Sequence, residues 1–411
     1  MRNRCRVDGN KSRTSVCAGQ VMQAVELFAG AGGLGIGISR AGFKPQRIVE
    51  WDRHCQATLK ANALNPSSDT NGWPRLIDGD VRDVDFSEFE GKLDLVSGGP
   101  PCQPFSMGGR HKAYADKRDM FPEAVRAIRE AKPRAFIFEN VRGLTRLAFR
   151  NYFEYIRLQM QYPELVSKQD EDWSDHLSRL EKHHSSKRGT RGLEYTLLTE
   201  VLNAANYGVP QKRERVFFVG FRNDVKASWS FPSPTHSSDA LIFDQVNGSY
   251  FDRHQVTKAE RRISDRMRAR MARYDRDADQ ARPWLTVRDA IGDLPDPELS
   301  PKLAAKISAH RLQPGARSYP GHTGSPLDEP AKTLKAGVHG VPGGENMLAR
   351  PDGTVRYFTV RESARLQTFP DNYNFEGAWS EAMRQLGNAV PVMLGETVAK
   401  SVASALSSHR N

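Results

Sequence analysis

The sequence predicts an α/β protein whose first domain is a doubly wound parallel sheet and whose second domain is smaller and irregular. Three observations carry that prediction. From residue 23 to residue 221 short apolar runs alternate with amphipathic stretches, and alternation at this spacing builds a parallel sheet with helices on both faces. After Ser228 the rhythm stops: Arg253, Arg261, Arg262, Arg266, Arg268, Arg270, Arg273 and Arg276 crowd one stretch, and proline, glycine and histidine are then frequent up to Gly353. A chain of 411 residues is also long enough to bury a sizeable core and to divide into two domains.

Taken in order, residues 1–20 are basic and polar, with no apolar stretch of the signal-peptide kind. They read as a flexible leader, with Met22 an alternative start. Strands are expected at 24–28, 47–50, 93–97, 135–139 and 215–221, and helices between them at 33–41, 54–63 and 121–131. The stretch 159–191 is highly charged and breaks the alternation, as a surface insertion or a helical excursion would. A helix is expected within the arginine-rich stretch, and helical periodicity returns over 387–406 after Asn-Ala-Val-Pro.

Hydrophobic residues make up 38% and charged residues 27%, the balance of a globular protein rather than a disordered or membrane one. No run approaches the roughly 18 apolar residues of a membrane span, and a cytoplasmic location is the expectation. Sixty Lys and Arg against 49 Asp and Glu give a net charge of +11. That excess suits a polyanionic partner, because each neutralised phosphate releases counterions; many basic proteins nonetheless bind no nucleic acid. Cys5, Cys17, Cys55 and Cys102 have no paired metal-ligand spacing, which argues against a structural zinc or a disulfide framework. No metal is expected.

Ligands of doubly wound sheets bind at the carboxyl ends of the strands, and the motifs of this chain fall there. Glu-Leu-Phe-Ala-Gly-Ala-Gly-Gly-Leu-Gly at 26–35 ends a strand and opens a helix. Its glycines let a ligand approach the backbone, and the helix start offers free N–H groups. Gly30, Gly32, Gly33 and Gly35 do not form the Gly-x-Gly-x-x-Gly of a dinucleotide site, and Phe28 stands in the turn. S-adenosylmethionine, which has no phosphate, is a ligand that suits this loop; a tight turn without any ligand is the competing reading. Glu50 closes the second strand, where an acid accepts from ribose hydroxyls, with Trp51 beside it to stack on adenine. Asp80, followed by Val81, is placed to accept from an adenine amino group.

Ser-Gly-Gly-Pro-Pro-Cys-Gln-Pro-Phe-Ser at 97–106 follows an apolar strand. A cysteine between prolines and glycines sits in a stiff loop rather than in a core, and its thiolate is a nucleophile. Phe-Glu-Asn-Val at 138–141 puts Glu139 at the end of the neighbouring strand, as a proton donor or hydrogen-bond partner for a base. Gln-Lys-Arg-Glu-Arg at 211–215 enters another strand, and the i, i+2 spacing of Arg213 and Arg215 points both to one face. Such guanidiniums clamp a carboxylate, an acidic intermediate or a phosphate.

Together with Val-Arg-Glu-Ser-Ala-Arg-Leu-Gln-Thr-Phe-Pro at 360–370 and Leu-Gly-Asn-Ala-Val-Pro at 386–391, these motifs resemble the C5-cytosine DNA methyltransferases of the bacterial restriction–modification type, in order and spacing, over about 21–405. Ser363 stands where many members have Cys or Ala. The resemblance implies a Rossmann-like methyltransferase domain over 21–228, a target-recognition domain over 229–383 and a segment 384–411 returning to the first domain. It implies Cys102 as nucleophile, Glu139 at the base's N3, Arg213 orienting Glu139 or the base's O2, and Arg215 supporting the loop or a phosphate. It also implies S-adenosylmethionine held by Phe28, Gly30, Gly32, Gly33, Glu50, Trp51, Asp80, Val81, Pro101 and Asn388. Double-stranded DNA is the implied partner of a monomer, with a cognate restriction endonuclease acting separately.

Thr333, Leu334 and the glycine-rich run 337–344 are read equally as DNA-reading loops or as loop scaffolding. Three alternatives stand beside the main reading. An RNA cytosine methyltransferase of the same fold is opposed by the large region after Arg222, which duplex-DNA reading needs. A non-catalytic DNA-binding relative is opposed by the intact Cys102, Glu139 and Arg213. An oxidoreductase lacks its phosphate fingerprint.

Overall fold

β1 (Met22–Leu27) is buried along nearly its whole length, as a central strand covered on both faces must be, and it therefore reads as an apolar run. Around it, in a computed structural model describing residues 21–70, 72–74, 76–101, 119–186, 192–276, 279–336 and 344–408, the first domain follows in order. The elements are α1 (Gly33–Arg40), β2 (Phe43–Glu50), α2 (Arg53–Ala63), β3 (Leu76–Asp78), β4 (Leu95–Gly98), α3 (Phe121–Ala131), β5 (Ala135–Val141), α4 (Arg150–Gln161), α5 (Trp173–Ser185), β6 (Tyr195–Asn203) and β7 (Glu214–Arg222). The strands lie in the order β3-β2-β1-β4-β5-β7-β6. The order reverses between β1 and β4, where an open α/β sheet leaves a crevice at its carboxyl edge.

β1 to β5 pair in parallel, as expected, but β7 runs antiparallel to both β5 and β6. The reason is the connection. β6 reaches β7 through 204–213, too short a link for the crossover of a dozen or more residues that a parallel neighbour needs. The reversal brings Arg215 at the start of β7 opposite Val141 at the end of β5, so a motif that enters a strand still lies at the carboxyl edge. β6 was not among the expected strands; most of its residues are only partly buried, and its pattern is that of an edge strand.

One face of the sheet is covered by α1 and the helix Val392–Ser408 through Leu34, Ile38, Leu394, Val398 and Val402. The other is covered by α3 and α4 through Phe121, Val125, Ile128, Ile156 and Met160. α1 lies against the C-terminal helix because it has glycine there: a Cβ on Gly33 would collide with the Val390 carbonyl, and one on Gly37 would lie 2.5 Å from the Glu396 nitrogen. The charged stretch 159–191 is a helical excursion over its described part. α5 packs on α4 through Tyr155, Leu158, Tyr162, Leu177 and Leu180, with Tyr155 Oη 2.9 Å from His176 Nδ1.

The second domain has strands of only two or three residues and small helices, one of them Asp265–Met271 in the arginine-rich stretch. Its own core gathers Val287, Ile291, Leu334, Leu348 and Phe358. The helices Val360–Leu366 and Trp379–Asn388 already pack with Ala31 and Ile36 beside α1. Packing against α1 thus includes residues from Val360 onward, ahead of position 384.

Candidate active site

A cleft of about 960 Å³ opens at the carboxyl edge where the strand order reverses, within the roughly 300–1,000 Å³ typical of small-molecule sites. Its walls come from each motif in turn: Phe28, Gly30 and Gly33 after β1, Glu50 and Trp51 after β2, Asp80 and Val81 after β3, Pro101 after β4, Glu139 from β5, Arg215 from β7 and Asn388 near the C-terminus. Gly32 does not line it; its φ of 83° starts α1, and its Cα faces Leu59 and Tyr373. Phe28 sits at φ 54°, a left-handed conformation that costs a bulky L-residue about 1–2 kcal/mol. Such strain concentrates where a side chain must be presented to a ligand.

The floor of the cleft on the β1–β2 side is acidic. Glu50 is buried and accepts hydrogen bonds from Gly30 N–H at 2.6 Å and Asp52 N–H at 2.7 Å. Burial raises its pKa, and those two N–H groups restrain the rise. Beneath lies Glu26, 2% exposed, with neither carboxylate oxygen hydrogen-bonded. Burial pushes Glu26 up to about 8; Gly35 N–H opposes the shift without forming a proper hydrogen bond, and Glu50 adds repulsion. A buried polar group with no partner is costly, and protonation lowers that cost for Glu26. Glu26 was not among the expected site residues. The signal was there to read: an acid near the end of a central, nearly fully buried strand.

The outer end of the cleft is aromatic and exposed. Trp51 is 67% exposed, and the Arg82 guanidinium lies 5.8 Å from its ring centroid. Asp80 caps the 3-10 turn Val81–Asp83 and pairs with Arg82, which holds its pKa low.

On the β5 side Glu139 and Arg215 form a buried ion pair, Oε1 to Nε 2.7 Å. Burial raises the Glu139 pKa, while Arg215 and then Arg213 hold the rise back. Asn140 Nδ2 donates to the Pro100 carbonyl at 2.8 Å, and a Cβ on Gly99 would sit 3.5 Å from Glu139 Oε2. Gly99 and Pro100 therefore run directly beside the glutamate. Cys102 lies outside the described residues; its described neighbour Pro101 lines the cleft, and Met120 N–H donates to the Pro101 carbonyl at 3.2 Å.

The expectation placed Arg213 on Glu139 or the base's O2 and Arg215 on the loop or a phosphate. Arg215, not Arg213, pairs with Glu139. Arg213 is fully buried and donates to the carbonyls of Leu334 at 2.9 Å, Gly387 at 2.7 Å and Ala389 at 2.9 Å. Burial and the Arg215 charge push its pKa down, with Glu139 opposing. Gln211 continues the seam, donating to Leu366 O and accepting from Leu334 N–H. These bonds lay residues 333–336 of the second domain along the cleft, which they line.

A family model described as C-5 cytosine-specific DNA methylase matches residues 22–162 and 188–404. The chain is 32% identical to Type II methyltransferase M.PspPI of Psychrobacter sp., covering 92% of this chain and 78% of that one. It is 31% identical to Type II methyltransferase M.Eco47II of Escherichia coli, covering 94% and 80%. Among solved structures, the S. pombe Dnmt2 methyltransferase shares the fold at a TM-score of 0.54 and 16% identity, over 94% of this chain and 99% of that one.

Proposed function

This chain belongs to the C-5 cytosine-specific DNA methylase family, and on that premise we propose that it methylates carbon 5 of a cytosine extruded from a specific duplex DNA sequence, with Cys102 as nucleophile and S-adenosylmethionine as donor. The observation that carries the reading is the division of the cleft into two halves of different electrostatic make-up: a buried Glu26 carboxyl without a hydrogen bond beside the acid Glu50 on one side, a Glu139–Arg215 ion pair on the other.

The donor suits the first half. S-adenosylmethionine, when bound, supplies an electrophilic methyl on a sulfonium, and it carries an ammonium as well. Glu26 and Glu50 provide the negative charge for that cationic end and for the ribose, Phe28 and Val81 an apolar wall, and Trp51 with Asp80 the adenine end.

The second half suits cytosine. Carbon 5 is a weak nucleophile while the ring is conjugated. Addition of the Cys102 thiolate to C6 forms an S–C6 bond and pushes the C5–C6 electron pair toward C5, while Glu139 supplies or shares a proton at N3. A glutamate does this more readily as its pKa rises, and burial raises that of Glu139 while Arg215 and Arg213 hold the rise back. Arg215 keeps the carboxyl oriented toward the base. Carbon 5 then takes the methyl group. Loss of the C5 proton to water reforms the double bond and expels the Cys102 thiolate, and the N3 proton returns to Glu139. Because C6 is out of reach inside a stacked duplex, the base must leave the helix, at a cost of a few kcal/mol. The second domain reads neighbouring base pairs from the major groove. Restriction–modification host protection is the biological setting, with a separate endonuclease.

Duplex DNA with 5-fluorocytosine at the target tests this reading, since fluorine cannot leave as a proton does. A covalent complex through Cys102, absent in Cys102→Ser although that variant still binds DNA, is the expected result. Turnover by Cys102→Ser, or no adduct by mass spectrometry, would overturn it.

A further inference from the structure

At the outer end of the cleft, the two side chains read as the adenine subsite are bridged by a third from the protein itself. Arg82 follows Asp80 and Val81 and lines the cleft with them. Its Nε donates to Asp80 Oδ2 at 2.6 Å, and its Nη2 donates to the same oxygen. Asp80 Oδ1 accepts the backbone N–H of Arg82 at 3.0 Å, so one residue engages both carboxylate oxygens. The same guanidinium stands 5.8 Å from the centroid of the Trp51 ring, inside the range of a cation–π contact. Asp80, expected to take the adenine amino group, and Trp51, expected to take the ring face, thus share one cation.

The walls of this subsite are pinned, and the bridge between them is the exposed part. Arg126 of α3 donates to the carbonyls of Val81 and Val84, each at 2.8 Å, which fixes the turn that follows Asp80. Gln56 donates to the Glu50 carbonyl at 2.7 Å and Asp52 N–H to Glu50 Oε1 at 2.7 Å, which fixes the backbone on both sides of Trp51. The Arg82 side chain is 41% exposed, against 14% for Asp80. Flat rings stack roughly 3.5–4.0 Å apart, so an adenine lying between Trp51 and Arg82 needs about 7 Å. The 5.8 Å present is too little. Adenine therefore reaches Trp51 and Asp80 only as the guanidinium withdraws, and the acids Glu123 and Asp83 are near enough to attract it.

We propose that Arg82 is a placeholder for adenine: it competes with the donor for Trp51 and Asp80 and so lowers donor affinity in a salt-dependent way. The proposal rests on the donor reading above. S-adenosylhomocysteine, which keeps the adenine and lacks the sulfonium charge, is the probe, titrated by calorimetry into the full-length protein without DNA. Arg82→Ala keeps the backbone N–H that Asp80 caps. It should bind the probe about fivefold more tightly than wild type at roughly 50 mM salt, the size of one exposed ion pair and one exposed cation–π contact. Salt screens exposed charges, so that advantage should shrink below about twofold at roughly 0.5 M. Weaker binding by Arg82→Ala would overturn the proposal and make Arg82 an outer cover on the adenine. Equal affinity at both salts, or an advantage untouched by salt, would overturn it as well. Trp51→Ala separates this inference from the reading beneath it, because loss of a stacking partner should weaken the probe by about tenfold. That loss without a gain in Arg82→Ala sinks the placeholder alone. Unchanged affinity in Trp51→Ala moves the adenine elsewhere and takes the placeholder with it, while a wild-type protein that binds no probe sinks the donor reading and the placeholder together.

Discussion

Two buried carboxyls at the edge of one sheet meet opposite company. Glu139, on β5, has Arg215 at 2.7 Å and feels Arg213 behind it. Glu26, on β1, has no hydrogen bond and a second acid, Glu50, as its neighbour. Burial raises both pKa values, yet only one site contains its own counter-charge. The difference matches the proposed ligands. Cytosine is neutral, so the protein supplies the cation that keeps Glu139 in place; the donor is cationic, so a resident cation beside Glu26 would compete with it. An empty charge balance marks where the charge is to arrive.

The harshest test of this contrast is Glu139→Gln. It keeps the shape and the contact with Arg215 but removes the transferable proton, and general acid–base roles are worth roughly 10²–10⁴-fold. Single-turnover methyl transfer should fall by that order while donor affinity stays unchanged. A drop in donor affinity of similar size would mean that the two halves of the cleft are not independent. Next in size comes Arg213→Met. Three buried carbonyls would lose their donor, at about 1–3 kcal/mol for each group left unsatisfied. Thermal unfolding should move down by about 5–10 °C, more than for Arg215→Met, whereas Arg215→Met should cost more in transfer rate. The reverse order would return Arg213 to the base.

That pair of arginines also shows where sequence reading stops. The spacing of Arg213 and Arg215 announced two guanidiniums near one strand end, and the structure places both there. Which one meets Glu139 depends on the carbonyls of Leu334, Gly387 and Ala389, which converge on Arg213 from distant parts of the chain. No local pattern encodes that convergence. The central strands were legible because each is a buried apolar run ended by its motif, and α3 was legible to the residue. β6 was not, since half-exposed edge residues carry a weak pattern. The antiparallel course of β7 lay in the length of the 204–213 link rather than in the strand. Gly32 entered the expected donor loop by adjacency, although its place is against Leu59 and Tyr373.

On the acidic side the matching change is Glu26→Gln, which leaves a neutral polar group where the cation is to sit. Donor affinity measured by calorimetry should weaken by about tenfold, the size of one partly compensated charge contact, with transfer at saturating donor nearly intact. Wild type should release a proton on binding the donor below pH 8, because the cation drives Glu26 to ionise. Heats measured in buffers of different ionisation enthalpy would show it, and the variant should lose that dependence. A rate defect without an affinity defect would place Glu26 with the cytosine machinery instead.

A further effect falls on the ligand-free fold, and its sign follows from the direction of the shift. Glu26 ionises near 4.5 when unfolded and near 8 when folded, so the folded chain holds a proton that the unfolded chain has lost. Its contribution to stability is full below pH 4.5 and disappears as pH rises to 8, at about 1.4 kcal/mol per pH unit for one proton. Glu50 has a raised pKa too and adds to the same slope. Urea unfolding of the ligand-free protein should therefore become easier from pH 5 to pH 8, and Glu26→Gln should remove about one proton's worth of that trend. Saturating donor should flatten it as well, because a bound cation brings the folded-state pKa back toward the unfolded one. If the donor flattened the slope in the variant as strongly as in wild type, the charge it neutralises would be Glu50's and the contrast between the two halves would rest on that residue alone.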